Sequence, residues 1–123
     1  PIIGADGTKD DSVLSVAGSS AEGLILTLPS VPDSSAYQAF VEAYKTAYAV
    51  APGAYTPEAY DVTMILAKAC GATNCTGPAI KDYLYSMGSY SGASGTYAFD
   101  SDGEVEKSYD YFMVKDGKWV SYR

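Results

Sequence analysis

The sequence predicts an α/β fold. Three observations carry that expectation. "GLILTLP" at 23–29 is a short apolar run closed by proline, the pattern of a buried strand. Three segments between 34 and 87 carry apolar residues at helical spacing. "YDYFMVKDGKWVSY" places two strand-like runs around Asp116-Gly117, a strong hairpin signal. In chain order the elements read β-α-β-α-α-α-β-β-β.

The chain opens "PIIGADGTKDD". Ile2 and Ile3 run into Gly-Ala-Asp-Gly as a strand runs out into a loop, so residues 2–4 are expected to end a strand. That opening half-strand suggests a unit cut from something longer. Lys9 to Val16 reads as a short helix, with Val13, Leu14 and Ala17 on one face and Gly18 able to stop it. After the 23–29 strand, "SVPDSS" is a loop rich in turn formers. Ser34 or Ser35 then caps a helix whose Tyr37, Phe40, Val41, Tyr44 and Tyr48 predict one buried aromatic face. "APGAYTPEAYDV" breaks that helix and starts the next. Thr56 is a good N-cap, Pro57 suits the first helical position and Glu58 favours the positive helix end. This helix is expected to reach about Cys70, with Met64, Ile65 and Leu66 in its apolar part. Pro78 opens a third helix carrying Ile80, Tyr83, Leu84 and Met87. After Gly88, "GTYAFDSDGE" reads as strand then turn.

Composition narrows the function classes. The chain has 123 residues, enough for one modest domain with a core, and 47% hydrophobic against 19% charged residues is a globular balance. A net charge of −7 argues against nucleic acid, whose phosphates need clustered Lys and Arg, and against an anionic membrane surface. No apolar run approaches the roughly 20 residues of a membrane span. There is no histidine, so Ser-His-Asp and Cys-His machinery cannot be built from this chain, and the usual zinc sites lose their commonest nitrogen ligand.

Cys70 and Cys75 stand in "ACGATNCTG", a spacing unlike the C-x-x-C of redox and zinc motifs. They are either free thiols or a disulfide across a short loop. A disulfide is the expectation, and it would imply an oxidising compartment. Asp100, Asp102 and Glu104 lack the further ligands of a calcium loop and read as a turn. An acid–base role for Asp100 and Asp102 finds no evident apolar pocket to tune it. No enzyme activity, metal or cofactor is expected.

The order of elements and several local motifs resemble the C-terminal portion of the type I periplasmic substrate-binding proteins of branched-chain amino-acid ABC transporters, the Leu/Ile/Val-binding proteins and their relatives. The resemblance rests on "PIIGADGTKDD…AGSSAEGLILTLP", "FVEAYKTAY", "YTPEAYDVTMILAKA", "IKDYLYSM", "GASGTYAFDSDGEV" and "YDYFMVKDGKWV", in that order. It implies a fragment of a two-lobed fold with three-layer α/β/α lobes, contributing to both lobes. Residues 1–28 would belong to the second lobe, 29–107 to the first with its crossover segments, and 108–123 would be closing strands returning to the second. It further implies an extracytoplasmic receptor of an ABC importer, free in a periplasm or lipid-anchored. Such a receptor would bind an amino acid or similar amine-bearing ligand between its lobes by hinge closure. The alternative is a ligand-sensing regulatory receptor of the same fold.

Candidate ligand residues follow from residue chemistry and the resemblance together. Asp6 lies just past a strand end, where open α/β sheets bind ligands, and Gly7 leaves room for close approach. On its own residues Asp6-Gly7 is a turn former. The resemblance implies that its carboxylate holds an α-amino group, although the family form is often Glu, one methylene longer. Tyr55 corresponds to the aromatic that lines the side-chain pocket, or is one more core ring among 12 tyrosines. Thr56 is a cap that can also face the cleft. Tyr60 and Asp61 read as structural, the ring packed and the carboxylate bonded to a neighbouring turn. Trp119 is expected to be partly buried in the final hairpin. The partners implied are a small-molecule ligand, a membrane permease and the missing N-terminal part of the protein. No nucleic acid is implied, and a homodimer is the expectation if the fragment exists alone.

Overall fold

A computed structural model describes residues 1–122. The elements in order are β1 (Ile3–Gly4), α1 (Asp11–Ala17), β2 (Ile25–Pro29), α2 (Ser35–Tyr48), α3 (Thr56–Ala72), α4 (Gly77–Ser86), β3 (Tyr90–Gly92), β4 (Gly95–Tyr97), β5 (Tyr109–Lys115) and β6 (Lys118–Ser121). Short 3-10 turns cover Asp6–Thr8 and Gly18–Ala21. The chain divides into two compact units, one formed by Pro1–Ser30 with the segment from Lys107 onward, the other by Val31–Glu106.

The first unit is a four-stranded sheet in the order β1-β2-β5-β6. β1 pairs with β2 in parallel, as the α1 crossover requires, and β2-β5 and β5-β6 are antiparallel. Asp116 and Gly117 both have positive φ, 52° and 69°, which is the two-residue turn matched to strand twist. The Glu22 carboxylate reaches this turn and accepts the N–H groups of Asp116 at 2.9 Å and Gly117 at 3.3 Å. One face of the sheet carries Leu24, Leu26, Leu28 and Val114, all buried. Val13, Leu14 and Ala17 of α1 pack on that side with Trp119, as the helical spacing predicts. Asp10 caps α1 through Ser12 N–H, and Gly18 ends it at φ 52°. Full burial of Leu26 alone is worth about 1.5–3 kcal/mol.

The second unit is three helices and a short hairpin. Ser34 is the cap of α2, accepting Tyr37 N–H at 3.1 Å. Pro57, Asp61, Ile65 and Ala69 form a buried stripe at four-residue spacing along α3. Ala93 and Ser94, the turn of the β3–β4 hairpin, are buried with it. Cys70 and Cys75 are joined by a disulfide, with Cα atoms 4.2 Å apart. Thr73 supports the same turn, donating to the Ala69 carbonyl and accepting Cys75 N–H.

Four sequence expectations need correction here. The aromatic face of α2 is not buried: Tyr37, Phe40, Val41 and Tyr44 are half-buried, and Tyr48 is 65% exposed. Its rings stack on one another and on Tyr60 of α3, with centroids 4.6 to 5.8 Å apart, instead of entering a core. Of Met64, Ile65 and Leu66 only Ile65 is buried, because consecutive helical residues point about 100° apart. β3 is a strand where none was expected. Its "YSG" has no apolar alternation, and pairing with β4 and the contacts of Asp61 hold it instead. Finally, Thr56 is the first helical residue of α3 and Tyr55 takes the cap position, its side chain making no capping bond to the helix start. The need for a cap is reduced there, since Thr56 N–H is taken by the Gly53 carbonyl and Pro57 has no N–H to satisfy.

Candidate functional site

In the first unit, β1 ends at Gly4 and the chain turns at once. A Cβ on Gly4 would sit 3.1 Å from Thr8 Oγ1, so glycine lets the turn fold back on the strand. Thr8 N–H closes the turn on the Ala5 carbonyl at 3.0 Å. Asp6 opens it, half-buried, with Oδ1 accepting Gly7 N–H at 2.8 Å. This is the turn-forming Asp-Gly arrangement. It fixes the carboxylate beyond the carboxyl end of β1, the position from which a strand end can address a ligand. Lys9, three residues on, lies over the Phe112 ring at 4.5 Å and is held against the sheet.

In the second unit, Tyr55 and Thr56 are adjacent at the start of α3. Tyr55 is 40% exposed, and its carbonyl accepts Ala59 N–H at 3.0 Å. Thr56 lines an open groove of about 740 Å³ together with Phe40, Tyr44, Tyr60, Met64 and Tyr90. Neither Tyr55 nor Asp6 lines that groove. Asp6 thus stands in one unit, and Tyr55 with Thr56 in the other.

The polar centre of the second unit is Asp61. Its carboxylate is fully buried and spans the β3–β4 turn, accepting Ala93 N–H at 2.8 Å, Ser94 N–H at 2.7 Å and the Ser94 hydroxyl at 2.7 Å. Gly92 packs directly against this carboxylate. The Tyr60-Asp61 reading as a structural pair holds for Asp61; Tyr60 remains half exposed over Phe40. Gly92 and Ser94 were not singled out in the sequence, where the only signal is the close glycine pair in "GASG". Asp100 is a turn residue, its Oδ1 accepting the N–H groups of Asp102 and Glu104. Trp119 is half-buried against Val114, as expected, with no hydrogen-bond partner for its buried Nε1 among the described residues.

Burial pushes the Tyr97 phenol up from about 10 to about 12, with the Asp61 carboxylate adding to it. The native state therefore keeps this proton longer than the unfolded chain. Its contribution is fully present below pH 10 and is lost as pH rises toward 12. Urea midpoints measured on wild type should fall across that window. Tyr97→Phe should fall less steeply, and an unchanged slope would remove Tyr97 from the account.

The profile of the periplasmic binding protein family matches residues 2–118, and the chain belongs to that family. Its members are substrate-binding proteins, not enzymes, and the family implies an extracytoplasmic location. Solved structures agree with the fold. A leucine-binding protein from Thermotoga maritima aligns with 99% of this chain and 36% of its own, at 27% identity and a TM-score of 0.80. The branched-chain amino-acid transporter substrate-binding protein of Streptococcus pneumoniae, in complex with isoleucine, aligns with 99% of this chain and 37% of its own, at 27% identity and a TM-score of 0.77. A substrate-binding protein from Desulfitobacterium hafniense in complex with leucine gives 27% identity, 99% and 35% coverage and a TM-score of 0.72. The curated proteins contain no match. The chain thus spans about a third of the length of the solved structures it resembles.

Proposed function

We propose that the intact protein is the solute receptor of an ABC importer and that its ligand is an amino acid, branched-chain or similarly amine-bearing. The observation that carries this reading is the carboxylate of Asp6, held past the end of β1 by its own turn. It stands in a chain similar along 99% of its length to leucine- and isoleucine-binding proteins. A carboxylate in that place can accept a charge-assisted hydrogen bond from an ammonium group. Tyr55 would cover the aliphatic side chain, and Thr56 would add a polar edge. Ligand would stabilise a closed form of the intact protein, and a membrane permease would recognise that form.

Asp6→Asn in the intact protein separates the ligand role from the turn role. Asparagine keeps an oxygen for Gly7 N–H but removes the charge. Isothermal titration with leucine or isoleucine should show Kd rising about 100-fold with the fold intact, the cost of losing a desolvated charge pair. An unchanged Kd would leave Asp6 as a turn former only.

A further inference from the structure

Asn74 is the chain's one asparagine, and it stands in "NCT", the Asn-x-Thr pattern of a glycosylation acceptor with cysteine and not proline in the middle. The three residues lie in the exposed turn between α3 and α4. The Cys70–Cys75 disulfide closes this turn, and Cys75 N–H donates to Thr73 Oγ1 within it at 3.1 Å. Cys75 has φ 59°, so the chain bends there and brings Thr76 back onto Asn74. Asn74 Oδ1 accepts the Thr76 hydroxyl at 2.9 Å and the Thr76 N–H at 3.4 Å. A backbone N–H can only donate, so the atom facing it is the carboxamide oxygen. The amide nitrogen Nδ2 has no hydrogen-bond partner among the described residues. Thr76 holds the cap position of α4, yet its hydroxyl makes no bond to the helix start. The helix therefore does not account for a hydroxyl at this position, and the Asn74 carboxamide does.

We propose that Asn74 is an N-glycosylation site, with Nδ2 as the acceptor atom and a saccharide activated as a pyrophosphate ester as the donor. An amide nitrogen is a poor nucleophile, because its lone pair is delocalised into the carbonyl. Two donors on Oδ1 favour the form in which that oxygen carries negative charge, so Nδ2 gives up a proton more readily and attacks with a free pair. Nδ2 forms a bond to the anomeric carbon as the carbon–oxygen bond to pyrophosphate breaks. The pyrophosphate ester leaves with the electron pair, and the amide proton passes to a base on the transferring enzyme. The family implies an extracytoplasmic location and a disulfide persists in an oxidising compartment, so the acceptor turn stands where secreted proteins carry such sugars. The 17 residues of α3 place Asn74 about 25 Å along the helix from Tyr55 and Thr56, so a saccharide there leaves both uncovered.

The inference rests on the turn and on family location, not on the ligand, so its failure leaves the amino-acid reading untouched. Peptide mass spectrometry of the intact protein, secreted by the cells that make it and fragmented by electron transfer, tests it. The peptide spanning Asn74 should carry a saccharide mass on that residue. Thr76→Ser keeps the hydroxyl and should keep the saccharide. Thr76→Val keeps the shape and should lose it, with an unchanged circular dichroism spectrum because no cap bond is removed. An unmodified Asn74 in the secreted wild-type protein would overturn the proposal. So would a saccharide that persists in Thr76→Val, or one that fragmentation places on Thr73 or Thr76 and not on Asn74.

Discussion

Asp61→Ala is expected to destabilise the second unit by about 4 kcal/mol and to release the β3–β4 hairpin. The carboxylate is fully buried and takes three hydrogen bonds, two of them from the backbone at Ala93 and Ser94. Alanine leaves both N–H groups and the Ser94 hydroxyl without this acceptor, at about 1–3 kcal/mol for each group left unsatisfied. Water entering the vacated space recovers part of that loss. Asp61→Asn keeps one oxygen and turns the other position into a donor facing donors, so it should cost about half as much. Amide hydrogen exchange of the intact protein checks the location: Ala93 and Ser94 should lose protection first, ahead of the β2–β5 ladder. Uniform loss across both units would show that Asp61 acts on global stability and not on this hairpin.

Gly92→Ala is expected to cost about 2–3 kcal/mol, by a different mechanism. A Cβ at residue 92 would overlap the Asp61 carboxylate. The carboxylate cannot swing away without giving up Ala93 and Ser94, so the strain stays in the site, and overpacking of this kind typically costs about 1–3 kcal/mol. The φ of Gly92 is not in the left-handed region, so the penalty is steric and not conformational. This makes the two residues a coupled pair. In the double variant Gly92→Ala/Asp61→Ala the new methyl enters space that the carboxylate has left, and the combined loss should fall short of the sum by about 1 kcal/mol or more. Strict additivity in urea denaturation would contradict the contact.

Much of the fold was legible because its signals are local. Asp116-Gly117 carries its own turn chemistry, "GLILTLP" its burial, and Ser34 and Gly18 mark helix ends where the structure has them. What escaped depends on partners far along the chain. The strand β3 has only Tyr90, Ser91 and Gly92, and its place is set by the Asp61 carboxylate, which accepts the N–H of Ala93 across a sequence separation of 32. Glu22 closes a turn 94 residues later, a pairing that no local pattern carries. Thr56 failed as a cap because Gly53 had already met part of the need, a backbone bond that residue type does not reveal. The aromatic spacing of α2 gave the helix correctly and its burial incorrectly, since periodicity says which residues share a face and not what covers it. For the candidate site, the chemistry of Asp6 as a turn former could be read from Asp-Gly itself. Its proposed contact with an amino group came only from resemblance, because the groups that would complete a ligand pocket are not local to it.

The most direct measurement is a pair of titrations of the intact protein, one with leucine and one with its des-amino analogue, 4-methylpentanoate. The two share the branched side chain and the carboxylate and differ only in the ammonium group that Asp6 is proposed to hold. Leucine is expected to bind and the analogue to bind at least 100-fold more weakly, with the difference abolished in Asp6→Asn. Equal binding of both, or binding of neither, would contradict an amine-reading receptor.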